Sequence, residues 1–243
     1  MPSLLEVRGV SVRFGGLMAL GDVSLAVSAG EVLSIIGPNG AGKTTLFNVI
    51  TGRVRPSSGA VTFDARPIHR AAAFQIAQMG VVRTFQKTEV FGTLNLVEGT
   101  LAGALARGDV DPEARAREAL DTVGLSAKAN FRADQLSYGD QRLLEIAQAL
   151  AAKPRVLLLD EPASGMNHQE SAHIVRLIGE LRTKGFAIVL VEHNMHVVMS
   201  ISDRVIVLNY GEKIAEGRPE EVRADPRVIE AYLGVQKPDA VAQ

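Results

Sequence analysis

The sequence predicts an α/β fold with an inserted helical segment. Short aliphatic runs typical of buried parallel strands alternate along the chain with amphipathic patterns typical of helices. Residues 4–12 and 21–27 instead alternate apolar and polar side chains, as strands with one solvated face do. The stretch from Thr88 to Asp134 is mostly typical of helices, so we expect an insertion into the α/β chain there. The aliphatic runs span residues 31–36, 155–159 and 186–191.

Turn and capping residues predict the remaining elements. Asp111 and Ser137 have side chains suited to cap a helix start, Pro112 suits the first helical position, and Gly124 suits a helix end. The polar residues 236–243 are expected to form a loose tail. In chain order we also expect a turn at 55–59, a strand at 60–64, a helix at 71–78, a strand at 80–85 ending on Gln86, a helix at 169–184, a hairpin of 203–208 and 212–215, and a short helix from Pro219.

The composition indicates a globular protein and excludes several kinds of site. The 243 residues are 47% hydrophobic and 22% charged, which is ordinary for a globular chain. The formal net charge of −1 gives no electrostatic attraction to nucleic acid, so no nucleic-acid partner is expected. Without cysteine, disulfides and thiolate metal sites are excluded. We expect neither a signal peptide nor a membrane span, since no apolar run approaches about 20 residues.

A glycine-rich motif follows the first aliphatic run and precedes a helical pattern at 44–50. It fits G-x-x-x-x-G-K-[ST], a loop whose backbone N–H groups hold nucleotide phosphates. Lys43 is expected to reach the β- and γ-phosphates, and the Thr44 hydroxyl to ligate Mg²⁺. A chance match is expected in about one chain in a hundred of this length, so nucleotide binding is favoured. The motif consists of Gly37, Pro38, Asn39, Gly40, Ala41, Gly42, Lys43 and Thr44.

Two acids follow the aliphatic run at 155–159. Asp160 alone could equally be an ordinary turn residue, but beside a phosphate-binding loop it is expected to hold Mg²⁺, usually through water. Glu161 is placed to polarise a water for attack on the γ-phosphate. A merely solvated loop carboxylate is the less favoured interpretation of Glu161.

An aromatic residue and a histidine have two interpretations each. Phe14 could be a core residue or could stack on the adenine base, and the sequence favours neither. His193, at the end of the run 186–191, could donate a hydrogen bond to the γ-phosphate or could be an ordinary histidine. The pairs His193/His196 and His168/His173 have spacings that a metal site could use, but no third ligand suggests itself, so histidine metal binding is not expected.

Taken in order, these motifs resemble those of ATP-binding cassette (ABC) ATPases. The resemblance covers Leu4 to about Gly234, and several independent motifs agree in order and spacing. The motifs are the phosphate-binding loop, Gln86, the signature Leu136, Ser137, Tyr138, Gly139 and Asp140, the strand and acids from Val156 to Pro162, and His193.

The resemblance implies a P-loop NTPase core, a mixed sheet flanked by helices, with an N-terminal antiparallel β subdomain and a helical subdomain inserted at about 88–135. It implies one domain over 1–235 that works as a head-to-tail dimer, in which the signature contacts ATP held by the other subunit. Gln86 is then expected to couple Mg²⁺ and the attacking water to the helical insertion, and Phe14 to stack on adenine. The implied ATP contacts are Phe14, Gly37, Pro38, Asn39, Gly40, Ala41, Gly42, Lys43, Thr44, Thr45 and Gln86, the catalytic residues Lys43, Gln86, Glu161 and His193, and the Mg²⁺ ligands Thr44, Gln86 and Asp160.

Within the family, the sequence is most similar to ATP-binding subunits of branched-chain amino-acid importers. The similar stretches are 14–17, 46–52, 83–86, 164–167 and 231–234. This resemblance implies transmembrane permease subunits, a second ABC ATPase that is a copy or a paralogue, a solute-binding protein reached through the permease, and a place on the cytoplasmic face of the membrane. Importers of urea, amides or small organic acids are the alternative, and a soluble non-transport ABC ATPase is a more distant one.

Three positions depart from the general family pattern. Tyr138 stands where the signature usually has glycine, Asp140 where it usually has glutamine, and Asn167 where aspartate is common. Asp140 adds a negative charge near the ATP of the other subunit, which is expected to weaken closure. Because Glu161 and His193 are present, we still expect a competent ATPase rather than a non-hydrolysing binding module. A P-loop kinase is disfavoured, because the chain has a signature in place of an acceptor site and lid.

Overall fold

Two β-sheets and a group of helices make up the described residues. The structure is a computed structural model, and it describes residues 3–84 and 92–233. The strands are β1 (Ser3–Phe14), β2 (Leu17–Ser28), β3 (Val32–Ile36), β4 (Ser58–Phe63), β5 (Arg66–Pro67), β6 (Val81–Arg83), β7 (Val156–Asp160), β8 (Ala187–Val191), β9 (Arg204–Asn209) and β10 (Glu212–Gly217). The helices are α1 (Lys43–Ile50), α2 (Ala73–Met79), α3 (Leu96–Ala106), α4 (Pro112–Thr122), α5 (Tyr138–Ala151), α6 (His168–Thr183), α7 (Met195–Ile201), α8 (Pro219–Ala224) and α9 (Pro226–Leu233).

The larger sheet positions the site. Its strand order is β10-β9-β3-β8-β7-β6, with parallel pairing throughout except for β10, which runs antiparallel to β9 at one edge. Every residue of β3, β7 and β8 is buried, which explains why these strands are continuous aliphatic runs. Because the three strands are parallel, the segments that follow them emerge at one edge of the sheet.

The smaller sheet is antiparallel, in the order β2-β1-β4-β5. The alternating burial along β1 and β2 confirms the predicted strands with one solvated face. Both strands are longer than the sequence predicts, because Phe14 pairs with Leu17 and only Gly15 and Gly16 lie between them. This tight hairpin places Phe14 at its tip, with 52% of the residue exposed.

Helices occupy the described part of the predicted insertion. Helices α3 and α4 pack on one another and on α5. Asp111 caps α4 by accepting a hydrogen bond from the backbone N–H of Ala114, with Pro112 as the first helical residue. Gly124 follows the end of α4 with a φ of +79°, a conformation that favours glycine. These observations confirm the helical character, whereas the domain bounds stay predictions.

Several sequence-based boundaries are wrong or incomplete. The predicted turn at 55–59 ends earlier, because Ser58 already pairs with Ser11 in the sheet. The short elements β5 and α7 were not predicted, and the C-terminal helical stretch continues into α9.

Gln86 and the predicted tail at 236–243 lie outside the described residues. In the portions of the chain that are described, no helix is both long and apolar enough to cross a bilayer.

Gly37 follows β3 where the chain passes very close to β9. Its φ is +149°, and a Cβ at this position would lie 2.1 Å from the carbonyl oxygen of Leu208. We expect Gly37→Ala to lower the free energy of unfolding by roughly 1–3 kcal/mol through overpacking. Thermal unfolding without nucleotide, followed by circular dichroism, measures the change. Gly16→Ala is the control, because nothing lies within 4 Å of a Cβ there. Equal midpoints of thermal unfolding for the two variants would contradict the close approach of Gly37 to Leu208.

Candidate functional site

The glycine-rich loop connects β3 to α1 and borders a large cavity. Gly42 precedes α1 with a φ of +102° and caps the helix without a side chain, so the first N–H groups of α1 face the loop. The cavity has a volume of about 550 Å³. Helix N-termini with accessible N–H groups favour anions such as phosphates. The cavity lining includes Phe14, Leu17, Met18, the loop from Asn39 to Thr45, Glu161 and Tyr210.

Lys43 holds the loop through its own side chain. Its Nζ donates hydrogen bonds to the carbonyl oxygens of Gly37, at 2.7 Å, and Pro38, at 3.0 Å. Burial lowers the pKa of the Lys43 ammonium, while the nearby carboxylates of Glu161 and Asp160 act in the opposite direction. A phosphate in the cavity would offer this cation stronger, charged acceptors than the two carbonyls.

Asp160 ends β7 as a buried carboxylate. Nη2 of Arg83 lies 2.6 Å from its Oδ2, and both side chains are less than a tenth exposed. Nη1 of Arg83 donates to Oδ1 of Asn48 at 2.7 Å, and the guanidinium lies 5.2 Å from the ring centroid of Phe47. Arg83 therefore links β6, β7 and α1 around the acid. Sequence reasoning gave Arg83 no role, since a charged residue in a short edge strand carries little signal.

Glu161 adopts an uncommon backbone conformation at the edge of the cavity. Its φ is +49°, in the left-handed region that non-glycine residues rarely enter. Its backbone N–H donates to the carbonyl oxygen of Val191 at 2.8 Å. Its Oε2 lies 3.6 Å from Nδ1 of His193, whose side chain is 61% exposed. The structure thus brings Glu161, His193, Lys43 and Asp160 to the same edge of the sheet, as the motifs predict.

The signature lies at the start of α5. Ser137 caps this helix, as predicted, by accepting a hydrogen bond from the N–H of Asp140 at 3.2 Å. The Tyr138 hydroxyl accepts a hydrogen bond from Nε of Arg142 at 3.2 Å. The Tyr138 ring packs against Gly165, and a Cβ on Gly139 would lie 2.7 Å from Oε1 of Glu170. Residues Gly165 and Glu170, in the chain segment after Glu161, therefore contact the signature directly.

Asp140 is not an isolated charge. Nζ of Lys128 lies 2.5 Å from its Oδ2, in an ion pair at the surface of the helical segment. This ion pair offsets part of the negative charge of the Asp140 carboxylate. The expected weakening of closure by Asp140 stays a prediction.

Some predicted site residues are not brought together. The signature borders a separate cleft of about 100 Å³ with Met166, Glu170 and His173, and the described lining of the larger cavity does not include it. Gln86 lies outside the described residues. Phe14 lines the large cavity, which favours the second of its two interpretations, a base contact. The signature is therefore separate from the large cavity of its own chain. A site that is completed by the signature of a second subunit requires this separation.

Comparisons with known proteins identify the family and the relatives of this chain. A family model described as ABC transporter matches residues 20–164. A second, described as branched-chain amino acid ATP-binding cassette transporter, matches residues 212–237. The chain is 44% identical to the high-affinity branched-chain amino acid transport ATP-binding protein LivG of Salmonella typhimurium, with 95% of this chain and 98% of that protein covered.

Two of the similar solved structures cover most of this chain. A nucleotide-free ATP-binding cassette from an ABC transporter has a TM-score of 0.89 and 31% sequence identity, covering 96% of this chain and all of the other. A dimeric ATP-binding cassette bound to ADP and Pi in a post-hydrolysis state has a TM-score of 0.79 and 27% identity, covering 88% of this chain and 98% of the other.

Proposed function

The chain belongs to the ABC transporter family, and from this premise we propose that it is the ATP-hydrolysing subunit of a membrane importer for branched-chain amino acids. The observation that carries the proposal is the meeting of the phosphate-binding loop, Asp160, Glu161 and His193 at one edge of the larger sheet. The choice of substrate is supported by the full-length similarity to a protein named for branched-chain amino acid transport.

We assign the ATP phosphates to the loop from Gly37 to Thr45. Glycines at 37, 40 and 42 have positive φ values, which allow backbone N–H groups to converge on an anion. Lys43 is already at the cavity and would exchange its bonds to two loop carbonyls for bonds to phosphate oxygens. This exchange couples nucleotide binding to the local structure of the loop.

The oxygen donors near the phosphates fit Mg²⁺. A threonine hydroxyl and a carboxylate are ligands of the kind that Mg²⁺ prefers, and we assign Thr44 and Asp160 to it, with Gln86 as a further ligand outside the described residues. Bound Mg²⁺ neutralises negative charge that develops on the phosphates. Arg83 holds Asp160 through Oδ2 and so fixes the orientation of this carboxylate.

Glu161 and His193 are assigned to the hydrolytic step. Glu161 borders the cavity, where its carboxylate can orient a water and accept its proton. His193 lies close enough to Glu161 to share a contact with the γ-phosphate or with the attacking water. Both residues follow buried strands, so rigid elements hold their backbones.

The signature is assigned to the ATP of a second subunit. Ser137, Gly139 and the N-terminus of α5 can bind a phosphate, but they border a cleft distinct from the large cavity of their own chain. In a head-to-tail dimer the signature of each subunit closes over the phosphate-binding loop of the other subunit. ATP binding then favours the closed dimer, and hydrolysis reopens it.

The partners follow from the transport role. We propose transmembrane permease subunits, a second ABC ATPase subunit and a solute-binding protein reached through the permease, with this chain on the cytoplasmic face of the membrane. The permease converts closure of the ATPase dimer into alternating access. Importers of urea, amides or small organic acids are the alternative substrate class.

Purification from native membranes tests this assembly. The tagged chain is extracted in detergent, and co-purified proteins are identified by mass spectrometry beside an untagged strain. We expect polytopic permeases together with a cassette subunit. Recovery of soluble partners alone would overturn the transporter assignment.

Phe14 is expected to contribute to ATP affinity through its base contact. Base–aromatic stacking contributes about 1–3 kcal/mol, so Phe14→Ala should weaken ATP binding roughly 5- to 150-fold. Tripolyphosphate, which has no base, should bind the variant and the wild type equally. Phe74→Ala is the matched control, because Phe74 is 65% exposed on α2. Equilibrium titration measures both ligands, and equal losses for ATP and tripolyphosphate would contradict the stacking role.

A further inference from the structure

A buried carboxylate lies between the two segments that carry Glu161 and His193. Glu192 directly follows β8 and is 1% exposed. Its position after a wholly aliphatic strand is visible in the sequence, but the motifs give it no task. A buried carboxylate is costly unless hydrogen bonds satisfy it, so its contacts should reveal its role.

Glu192 accepts three backbone hydrogen bonds from two segments. Oε1 accepts from the N–H of Ala163 at 3.1 Å, on the segment after β7. Oε2 accepts from the N–H of His193 at 2.9 Å and of Asn194 at 3.0 Å, on the segment after β8. Hydrogen bonds to an ionised acceptor are stronger than those between neutral groups. One side chain therefore ties together the segments of the two proposed hydrolytic residues.

A second connection runs in parallel with the first. The N–H of Glu161 donates to the carbonyl oxygen of Val191 at 2.8 Å, so the two segments are bonded on both sides of Pro162. Glu161 keeps its left-handed φ of +49° between these bonds. An uncommon backbone conformation persists when the surrounding structure over-determines it, and here Glu192 supplies part of that constraint.

We infer that Glu192 is a positioning residue of the hydrolytic site. Its carboxylate holds the backbones of Ala163 and His193 in place, and this fixes the Glu161 carboxylate relative to the imidazole of His193. The inference deepens the proposed function and rests on it for the identity of the reaction. Glu192 is not among the described residues that line the large cavity, although its neighbour Val191 is, so ATP affinity should depend little on its side chain.

Two variants of Glu192 separate positioning from binding. Glu192→Gln keeps one acceptor oxygen and replaces the other with an NH₂ group that cannot accept, while Glu192→Ala removes both. Small displacements of reacting groups cost about 100-fold in rate. We expect kcat to fall roughly 10- to 100-fold, more in the alanine variant, with the ATP dissociation constant within about threefold of wild type. Amide hydrogen exchange at residues 163–164 and 193–195 should accelerate in both variants.

Glu31→Gln is the matched control. Glu31 also accepts a backbone hydrogen bond, from the N–H of Ser28 at 2.8 Å, but it lies at the opposite end of β3. Its variant should keep the wild-type kcat and the wild-type exchange at the two segments. The exchange measurement needs no turnover, so it still tests the connection if the wild type proves unable to hydrolyse ATP.

Two results would overturn the inference. One is that both Glu192 variants keep the wild-type kcat and the wild-type amide hydrogen exchange in the segments that contain Ala163 and His193. The other is a loss of ATP binding in Glu192→Gln that matches the loss of kcat, with faster exchange throughout the larger sheet, because that outcome assigns Glu192 to overall stability. A wild type that binds ATP but releases no phosphate would instead contradict the proposed function.

Discussion

Glu161→Gln is expected to abolish turnover while preserving ATP binding. Glutamine has nearly the volume of glutamate but cannot accept a proton from water, and loss of a general base costs about 10²–10⁴-fold in rate. The backbone hydrogen bond from residue 161 to Val191 does not involve the side chain, so the local fold should persist. Phosphate release measures the rate, and light scattering measures the dimer.

The oligomeric state distinguishes this variant from an ordinary inactive protein. With hydrolysis blocked, ATP and Mg²⁺ should hold the Glu161→Gln variant as a dimer, whereas the wild type should dimerise only transiently. Glu118→Gln makes the same chemical change on α4, where the side chain is 67% exposed, and should behave as wild type. A Glu161→Gln protein that stays monomeric at saturating ATP and Mg²⁺ would contradict the proposed cycle.

Lys43→Ala is expected to remove most of the ATP affinity. Hydrogen bonds to charged groups contribute about 1.5–3 kcal/mol, and the larger value corresponds to roughly a 150-fold loss. The variant also removes the two hydrogen bonds that hold the carbonyls of Gly37 and Pro38. Titration with a fluorescent ATP analogue measures the affinity. Lys213→Ala is a suitable control, since the Lys213 side chain pairs with Glu216 on β10.

The pH dependence of binding provides an independent test of Lys43. Burial lowers the pKa of Lys43 below its ordinary value of 10.5. The protonated ammonium attracts phosphate and the neutral amine does not, so ATP affinity should be highest below this pKa and should fall as the pH rises through it. The Lys43→Ala variant should lose this alkaline decline. The same decline in the variant would assign it to another group.

The sequence predicts the buried strands and the capped helices best. Strands β3, β7 and β8 are buried on both faces, so their hydrophobic runs are unambiguous. Asp111 and Ser137 act as helix caps because capping depends only on neighbours along the chain. The start of β4 was missed because its pairing with β1 depends on tertiary structure.

The residues that carry the chemistry of the site were more predictable from the sequence than the residues that hold them in place. The loop and the acids after β7 belong to local motifs, and parallel pairing of the strands brings them together. The partners of these residues come from distant parts of the chain. Arg83 reaches Asp160 from β6, and Glu192 reaches Ala163 from the segment after β8, contacts that no local spacing specifies.

Transport by the purified complex tests the central claim most directly. The complex recovered through this chain is placed in liposomes with its solute-binding protein, and uptake of labelled leucine, isoleucine and valine is measured with ATP on the cassette side. We predict accumulation that requires ATP and is lost in the Glu161→Gln complex. A complex that hydrolyses ATP but accumulates none of the three amino acids would contradict the account, and accumulation of urea or an amide instead would favour the alternative substrate class.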